Sequence, residues 1–272
     1  MLLQRTLTAL LLAPLVILII LLSPATPFAL IAAAAFLVAL WEWTRLSGLQ
    51  QTTPRALVLV AGAILFGLLW SARDTTLWPL MTAVGVTWWL LACLWLRHFA
   101  FAAAPTNESR AFKLFAGVLV IFPAWVALLQ IHDSEPHGHI WAFLALIIVW
   151  AADIGAYFSG RFFGKRKLAP QISPGKTWAG VYGAFVASAL VAAIGGWLLD
   201  VRDLRLLGLV VLAAVVVAAS VVGDLLESLM KRHAQVKDSG TLFPGHGGLL
   251  DRMDSVFAAL PVFALGKWLL GL

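Results

Sequence analysis

The sequence predicts an all-α, polytopic integral membrane protein with about nine transmembrane helices. Of its 272 residues, 62% are hydrophobic and 12% are charged, whereas a soluble domain has roughly 45–50% apolar and about 25% charged residues. Most of this apolar surface must therefore face lipid. Thirteen tryptophans against two tyrosines fit aromatic belts at the two membrane interfaces. The single cysteine, Cys93, excludes an internal disulfide and a cysteine-based zinc site.

Nine apolar segments have the length that a spanning helix needs, about 20 residues. They are centred on residues 6–22, 27–43, 56–71, 77–96, 113–131, 140–159, 176–199, 204–227 and 253–270. We treat 1–272 as a single transmembrane domain, in which 1–140 form a scaffold and dimerisation part and 141–272 carry the catalytic helices and loops. A cleaved signal peptide is the alternative for the first segment, because Arg5 precedes an apolar stretch and small residues follow Pro24.

The charges between these segments predict the orientation of the chain. With the N-terminus in the cytoplasm, 15 of the 19 Lys and Arg residues fall in inside segments, and cationic loops stay on the cytoplasmic side. We therefore expect an N-in/C-out arrangement. The net charge of +6 is then a topology signal, and no nucleic-acid partner is expected. His132, His137 and His139 fall in an outside loop, where we expect them to face solvent.

One block, from Asp224 to Asp254, holds nine of the 32 charged side chains in 31 residues. Four polar side chains share one helical face at spacings i, i+3, i+4 and i+7, namely Asp224, Glu227, Ser228 and Lys231. Asp251 and Asp254 lie one turn apart on the next helix, after a glycine-rich segment that cannot be regular helix. Magnesium typically binds one or two carboxylates, and water and phosphate oxygens complete its coordination shell. The block therefore predicts a metal and phosphate site; the alternative, a helix end with a structural ion pair, leaves the spaced carboxylates unexplained.

A second stretch precedes the seventh apolar segment. Ser173 is placed to cap that helix with Pro174 at its first position, so that free N–H groups and Lys176 gather at one end. Such a helix end is an anion site. Upstream, Gly160 and Gly164 form a small-xxx-small face that favours close helix approach.

The charged block also follows a long family pattern. Its three runs are Ser228-Leu-Met-Lys231-Arg232, then Lys237-Asp238-Ser-Gly240, then Pro244-Gly-His246-Gly247-Gly248-Leu-Leu-Asp251-Arg252-Met-Asp254. Together they resemble the signature of the phosphatidate cytidylyltransferases, the CDP-diacylglycerol synthases. Similar family segments extend the resemblance back to Asp153. One departure is Ala179, where the family often has Glu.

The resemblance implies Mg²⁺-dependent transfer of a cytidylyl group from CTP to phosphatidate, giving CDP-diacylglycerol and pyrophosphate. It also implies a homodimer in the bacterial cytoplasmic (inner) membrane, with the active site facing the cytoplasm and membrane lipids around it. We expect Asp224 and Asp251 to bind Mg²⁺, with a second cation such as K⁺ left open, and Lys176 and Lys231 to act in catalysis. The expected substrate-binding residues are Ser173, Lys176, Thr177, Ser228, Lys231, Arg232, Lys237, Asp238, His246, Gly247, Gly248, Arg252 and Asp254.

Three other functions fit the sequence less well. A transporter places its polar residues near the midplane on broken helices, usually with an internal repeat, and no repeat is visible in this sequence. A polyprenol kinase shares the acidic pair but not the long signature. A non-catalytic scaffold leaves the intramembrane carboxylates unexplained. No P-loop G-x-x-x-x-G-K-[ST] and no H-E-x-x-H motif occurs.

Overall fold

The computed structural model describes residues 2–243 and 247–272, with side chains from Leu12 onward. Nine helices and two short strands make up this part of the chain. They are α1 (Leu2–Leu22), α2 (Ala25–Leu46), α3 (Thr52–Ser71), α4 (Leu77–Arg97), α5 (Asn107–His132), α6 (Gly138–Phe163), β1 (Lys167–Ala169), β2 (Ser173–Thr177), α7 (Trp178–Leu198), α8 (Asp203–His233) and α9 (Leu250–Leu269).

The helices confirm a polytopic membrane class. Within the described residues, seven helices, α2 to α8, are long and apolar enough to cross a membrane. Many apolar side chains on their outer faces are exposed, as on α3, where Leu57, Ile64 and Leu68 form an outward stripe. Lipid is the solvent that such a stripe fits. The count of nine spans and the N-in/C-out orientation remain predictions.

The class is not purely α-helical, because β1 and β2 form a small antiparallel hairpin. Lys167 pairs with Thr177 and Ala169 pairs with Ser173. The hairpin lies directly before α7 and contacts α8. It therefore delivers the polar residues of 173–177 to the end of the bundle where α8 and α9 meet.

The expected cap at Ser173 is wrong, because the seventh helix begins later, at Trp178. Thr177 is its cap: the backbone there is extended, and the Thr177 hydroxyl accepts a hydrogen bond from the Gly180 N–H at 3.2 Å. The reason is local. A residue that precedes proline disfavours helical backbone, so Ser173 before Pro174 stays extended and the chain pairs as a strand. Lys176 consequently projects from β2 and not from a helix end.

Glycines let α6 and α7 approach closely, but not through the predicted pair alone. A Cβ atom on Gly155 would lie 2.5 Å from the Gly183 carbonyl oxygen, which is too close for any side chain. Gly160 lies over the cap residue Thr177, and Gly164 ends α6. The tightest crossing is therefore one helical turn deeper than the sequence pattern indicated.

The helix α5 lies at the centre of the bundle, where it packs against α2, α4, α6 and α9. Its last residue, His132, was expected to face solvent, and this expectation is wrong. The ring is 2% exposed, it stacks on Phe28 with centroids 3.7 Å apart, and its Nε2 lies 3.0 Å from the Ile20 carbonyl oxygen. The junction of α1 and α2 covers this helix end, which the sequence pattern did not indicate. His137 is exposed and His139, whose Nδ1 contacts the His132 ring, is partly buried.

Candidate active site

A cavity of about 390 Å³ lies between α6, α7 and α8, beside the hairpin. Its lining includes the polar residues Asp153, Lys176, Thr177, Ser220 and Asp224 and the apolar residues Ala152, Ala156, Val181, Ala184 and Val221. A cavity lined by both polar and apolar side chains suits an amphipathic ligand.

An ion pair joins the hairpin to α8 inside this cavity. The Lys176 Nζ lies 2.5 Å from the Asp224 Oδ2, and the two side chains are 24% and 31% exposed. The Ser228 hydroxyl, one turn further along α8, donates to the Asp224 Oδ1 at 3.3 Å. The structure therefore brings together three of the predicted site residues, in a place that remains accessible from the cavity.

Two further carboxylates surround this pair. Asp153 on α6 and Asp254 on α9 both lie close enough to interact electrostatically with Asp224 and Lys176. Gly223 makes the approach of α9 possible, since a Cβ atom there would collide with the Asp254 backbone carbonyl. Three carboxylates against two cations, Lys176 and the Arg252 that also acts on Asp153, leave a local excess of negative charge, which favours binding of a cation.

The carboxylates near this cavity fit magnesium only as a site with few protein ligands. No three His, Cys, Asp or Glu side chains of residues 2–243 and 247–272 are placed to hold one metal ion. Magnesium often relies on one or two carboxylates, with waters and substrate phosphates as the other ligands. Asp224 fits this role because it lines the cavity and lies within this group of carboxylates. Asp251, the second predicted ligand, does not line this cavity.

Asp251 instead belongs to a network that joins α8 to α9. Its Oδ1 accepts from the Lys231 Nζ at 2.7 Å, and Lys231 also forms an ion pair with Glu227. Its Oδ2 accepts from the Ser239 N–H and hydroxyl, both at 2.9 Å, and from the Gly248 N–H at 2.8 Å. This network also includes Glu42 on α2. We use the name interhelical clamp for the five residues Glu42, Glu227, Lys231, Ser239 and Asp251.

Glu42 on α2 is a site residue that the sequence analysis missed. It is 4% exposed, and its Oε2 accepts from the Leu250 N–H at 2.7 Å and shares the Ser239 hydroxyl, at 3.0 Å, with the Asp251 Oδ2. Its Oε1 accepts from the Leu249 N–H at 3.1 Å. The first N–H groups of a helix have no acceptor within the helix, and a carboxylate stabilises that end. A lone acidic residue in an apolar segment was the signal that could have identified it.

The remaining predicted residues lie elsewhere around the loop between α8 and α9. Gly247 has a positive φ of 81°, a backbone conformation that favours glycine. The N–H of the next residue, Gly248, donates a hydrogen bond to the Asp251 Oδ2. Arg232 donates from Nε to the Ile172 carbonyl oxygen at 3.2 Å and so ties the hairpin to α8. Four predicted contacts are solvent-exposed: Arg232, Lys237, Asp238 and Arg252. His246 lies outside the described residues.

Arg232 and Lys237, both predicted to hold phosphates, do not line the cavity between α6, α7 and α8. They line a second cavity of about 460 Å³, together with Phe99 and His233. The predicted set is thus divided between the first cavity, the interhelical clamp and this second cavity. Proximity in sequence had suggested a single cluster.

Comparison with known proteins covers almost the whole chain. The sequence model of the family described as the cytidylyltransferase family matches residues 3–269. The chain is 42% identical to the phosphatidate cytidylyltransferase of Pseudomonas aeruginosa over 271 residues, which are 100% of this chain and 98% of the relative. It is 37% identical to that of Haemophilus influenzae over 97% of this chain and 98% of the relative, and 33% identical to that of Bacillus subtilis over 95% and 94%. The likeness therefore includes the helices before Asp153.

Proposed function

Because this chain belongs to the cytidylyltransferase family, we propose that it transfers the cytidylyl group of CTP to phosphatidate in phospholipid biosynthesis. The products are CDP-diacylglycerol and pyrophosphate, and the reaction depends on Mg²⁺. The main support is the cavity in which the Lys176–Asp224 ion pair lies among apolar side chains. Such a cavity suits a lipid whose phosphate headgroup meets the charged pair and whose acyl chains contact the apolar side chains.

The proposed chemistry needs no general base from the protein. A phosphate oxygen of phosphatidate attacks the α-phosphorus of CTP and forms the new P–O bond. The bond from the α-phosphorus to the bridging oxygen breaks, and pyrophosphate leaves with that electron pair. A phosphomonoester has a second pKa of roughly 6, so the nucleophile is largely dianionic at neutral pH. The barrier is mainly electrostatic, since one polyanion must approach another.

The chain's own residues lower this barrier by placing positive charge beside the phosphate oxygens. Lys176 at the cavity and Lys231 in the interhelical clamp hold anionic phosphate oxygens, with Thr177 and the α8 cations as further contacts. Asp224 and Asp251 are the proposed ligands of Mg²⁺, with K⁺ as a candidate second cation. For Asp251 this role rests on its Oδ1, which also accepts from Lys231, because Oδ2 already accepts hydrogen bonds from Ser239 and Gly248. The metal, when bound, supplies charge neutralisation at the phosphates.

The membrane setting follows from the substrates. A diacyl lipid stays in the bilayer while CTP is soluble, so the reaction takes place at the cytoplasmic boundary. We propose nine spans in the N-in/C-out orientation, in the cytoplasmic membrane of a bacterium, as a homodimer. The charge distribution supports this orientation, since 15 of the 19 Lys and Arg residues then lie inside.

The test is a product assay with purified protein, labelled CTP, phosphatidate and Mg²⁺, which follows CDP-diacylglycerol and pyrophosphate. Both products should appear together and only when phosphatidate is present. Asp224→Asn should abolish turnover while the protein still inserts and folds. Asp203→Asn is the matched control, because it makes the same change at an exposed position at the other end of α8. A folded wild-type protein that forms no CDP-diacylglycerol with Mg²⁺ present would refute the proposal.

A further inference from the structure

A third cavity lies at the same end of the bundle as the interhelical clamp. Its volume is about 420 Å³, and it is formed by the end of α2, the loop 98–106, the start of α5 and the end of α8. Among the described residues, three cations line it, Arg45, Arg110 and Lys113, and no Asp or Glu does. We call it the basic cavity. Among the residues that the structure describes, none lines both this cavity and the one that contains Lys176 and Asp224, whereas His233 and Val236, among others, line both this cavity and the second one.

Lys113 is the most informative of the three cations. The residue is 6% exposed, and its ammonium forms no ion pair with any residue in the described ranges. The other two lysines near the site, Lys176 and Lys231, each pair with a carboxylate. A buried charge normally has a partner, because removing it from water is costly. Lys113 therefore lacks a counter-ion that its position calls for.

The two arginines add to this unbalanced charge. Neither Arg45 nor Arg110 forms an ion pair with a residue that the structure describes. Arg110 makes one long contact, from its guanidinium to the Asn107 Oδ1 at 3.4 Å. The cap residue of α5, Thr106, also lines the cavity, so the positive end of a helix dipole points to the same region.

The preference of cationic loops for the cytoplasmic side does not explain why these three cations line one cavity. The positive-inside rule needs only that Lys and Arg lie in the cytoplasmic segments, and exposed side chains such as Arg97 satisfy it. It gives no reason for a lysine to be buried, or for three cations from two helices to line one cavity without a carboxylate. An anion that is not part of the chain does give such a reason.

We infer that the basic cavity is a binding site for a phosphate-bearing anion, separate from the proposed catalytic cavity. Arginine and lysine together favour phosphate, since guanidinium groups bind it in a bidentate way and ammonium groups add charge. The phosphate comes either from a soluble polyphosphate or from the headgroup of an anionic lipid. None of the three cations belongs to the signature from Ser228 to Asp254. The proposed site therefore assigns anion binding to residues in the N-terminal half of the chain.

The soluble source is tested by equilibrium dialysis of labelled pyrophosphate against the full chain in phosphatidylcholine nanodiscs, without CTP or Mg²⁺. Lys113→Met and Arg110→Gln should each weaken binding at least about tenfold, because each removes a charge-assisted hydrogen bond. Lys113→Arg should retain most of the affinity. Arg97→Gln is the matched control, since it removes one exposed charge at the same end without lining the cavity.

The lipid source is tested in nanodiscs that contain phosphatidylglycerol, by counting retained lipids with native mass spectrometry. If a headgroup occupies the site, the wild type retains an anionic lipid that both Lys113→Met and Arg110→Gln lose and that Arg97→Gln keeps. Arg110 is only partly buried, so its variant carries the test if Lys113→Met does not fold. Equal binding by all variants in both arms, or equal losses in the Arg97→Gln control, would overturn the inference. Neither arm requires turnover, so the outcome is independent of the proposed function.

Discussion

The strongest single prediction concerns Glu42, the carboxylate that holds the loop before α9. Glu42→Gln keeps the size of the side chain and turns one oxygen into an NH₂ group. If the remaining oxygen takes the place of Oε2, it keeps the bonds from Ser239 and Leu250. The new NH₂ group then faces the Leu249 N–H across 3.1 Å, so one hydrogen bond is lost and two donors oppose each other. A buried donor without a partner costs about 1–3 kcal/mol.

The expected result is a free energy of unfolding lower by about 1–3 kcal/mol and a reduced turnover number. The turnover number falls because Asp251 and Ser239 depend on the same loop, whereas the KM for CTP changes less. Glu42→Ala should cost more, since the N–H groups of Leu249 and Leu250 both lose their acceptor while the Ser239 hydroxyl keeps Asp251. The measurements are denaturant titration of the reconstituted protein and initial rates over a range of CTP concentrations. Glu108→Gln, the same change at an exposed position on α5, is the control. A Glu42→Gln protein with wild-type stability and turnover would refute the role of Glu42.

Three further predictions use the same assays. Gly248→Ala should lower stability and turnover, because the new methyl group would collide with the Glu42 carboxylate and the Ser239 hydroxyl; Gly67→Ala, which meets nothing within 4 Å, should not. Lys231→Met should destabilise the fold by about 3–5 kcal/mol, since two carboxylates lose their shared counter-charge, and an unchanged unfolding free energy would contradict this. Chelation of divalent metal with EDTA should stop turnover and added Mg²⁺ should restore it; full activity after chelation would exclude the metal proposal.

Much of the fold could be predicted because apolar length alone identifies helices that face lipid. The local errors came from interactions that length does not register. Pro174 kept the chain extended and produced a strand where a helix start was expected. His132 was expected outside because a polar side chain next to a loop is usually exposed, but the junction of α1 and α2 covers it. Such cover depends on tertiary packing, which the local pattern does not encode.

In the candidate site, too, contacts between residues close in sequence were predicted, and contacts between residues far apart in sequence were not. Residues four apart on one helix must face each other, so the sequence correctly placed Ser228 beside Asp224 and Lys231 beside Glu227. Glu42 and Ser239 are 197 positions apart, and no periodicity relates them. Their contact exists only because α2 and α9 lie side by side in the bundle.

The division of the signature between a cavity and a clamp changes how its residues should be interpreted. Asp224 faces a cavity that can hold substrate, whereas both Asp251 oxygens already accept hydrogen bonds from the loop and from Lys231. A residue that positions a loop and a residue that binds a metal both reduce turnover when they are replaced. Loss of activity in an Asp251 variant therefore does not identify a ligand. The two roles differ in their dependence on Mg²⁺: loss of a ligand raises the concentration needed for half-maximal rate, whereas a displaced loop lowers the rate at every concentration.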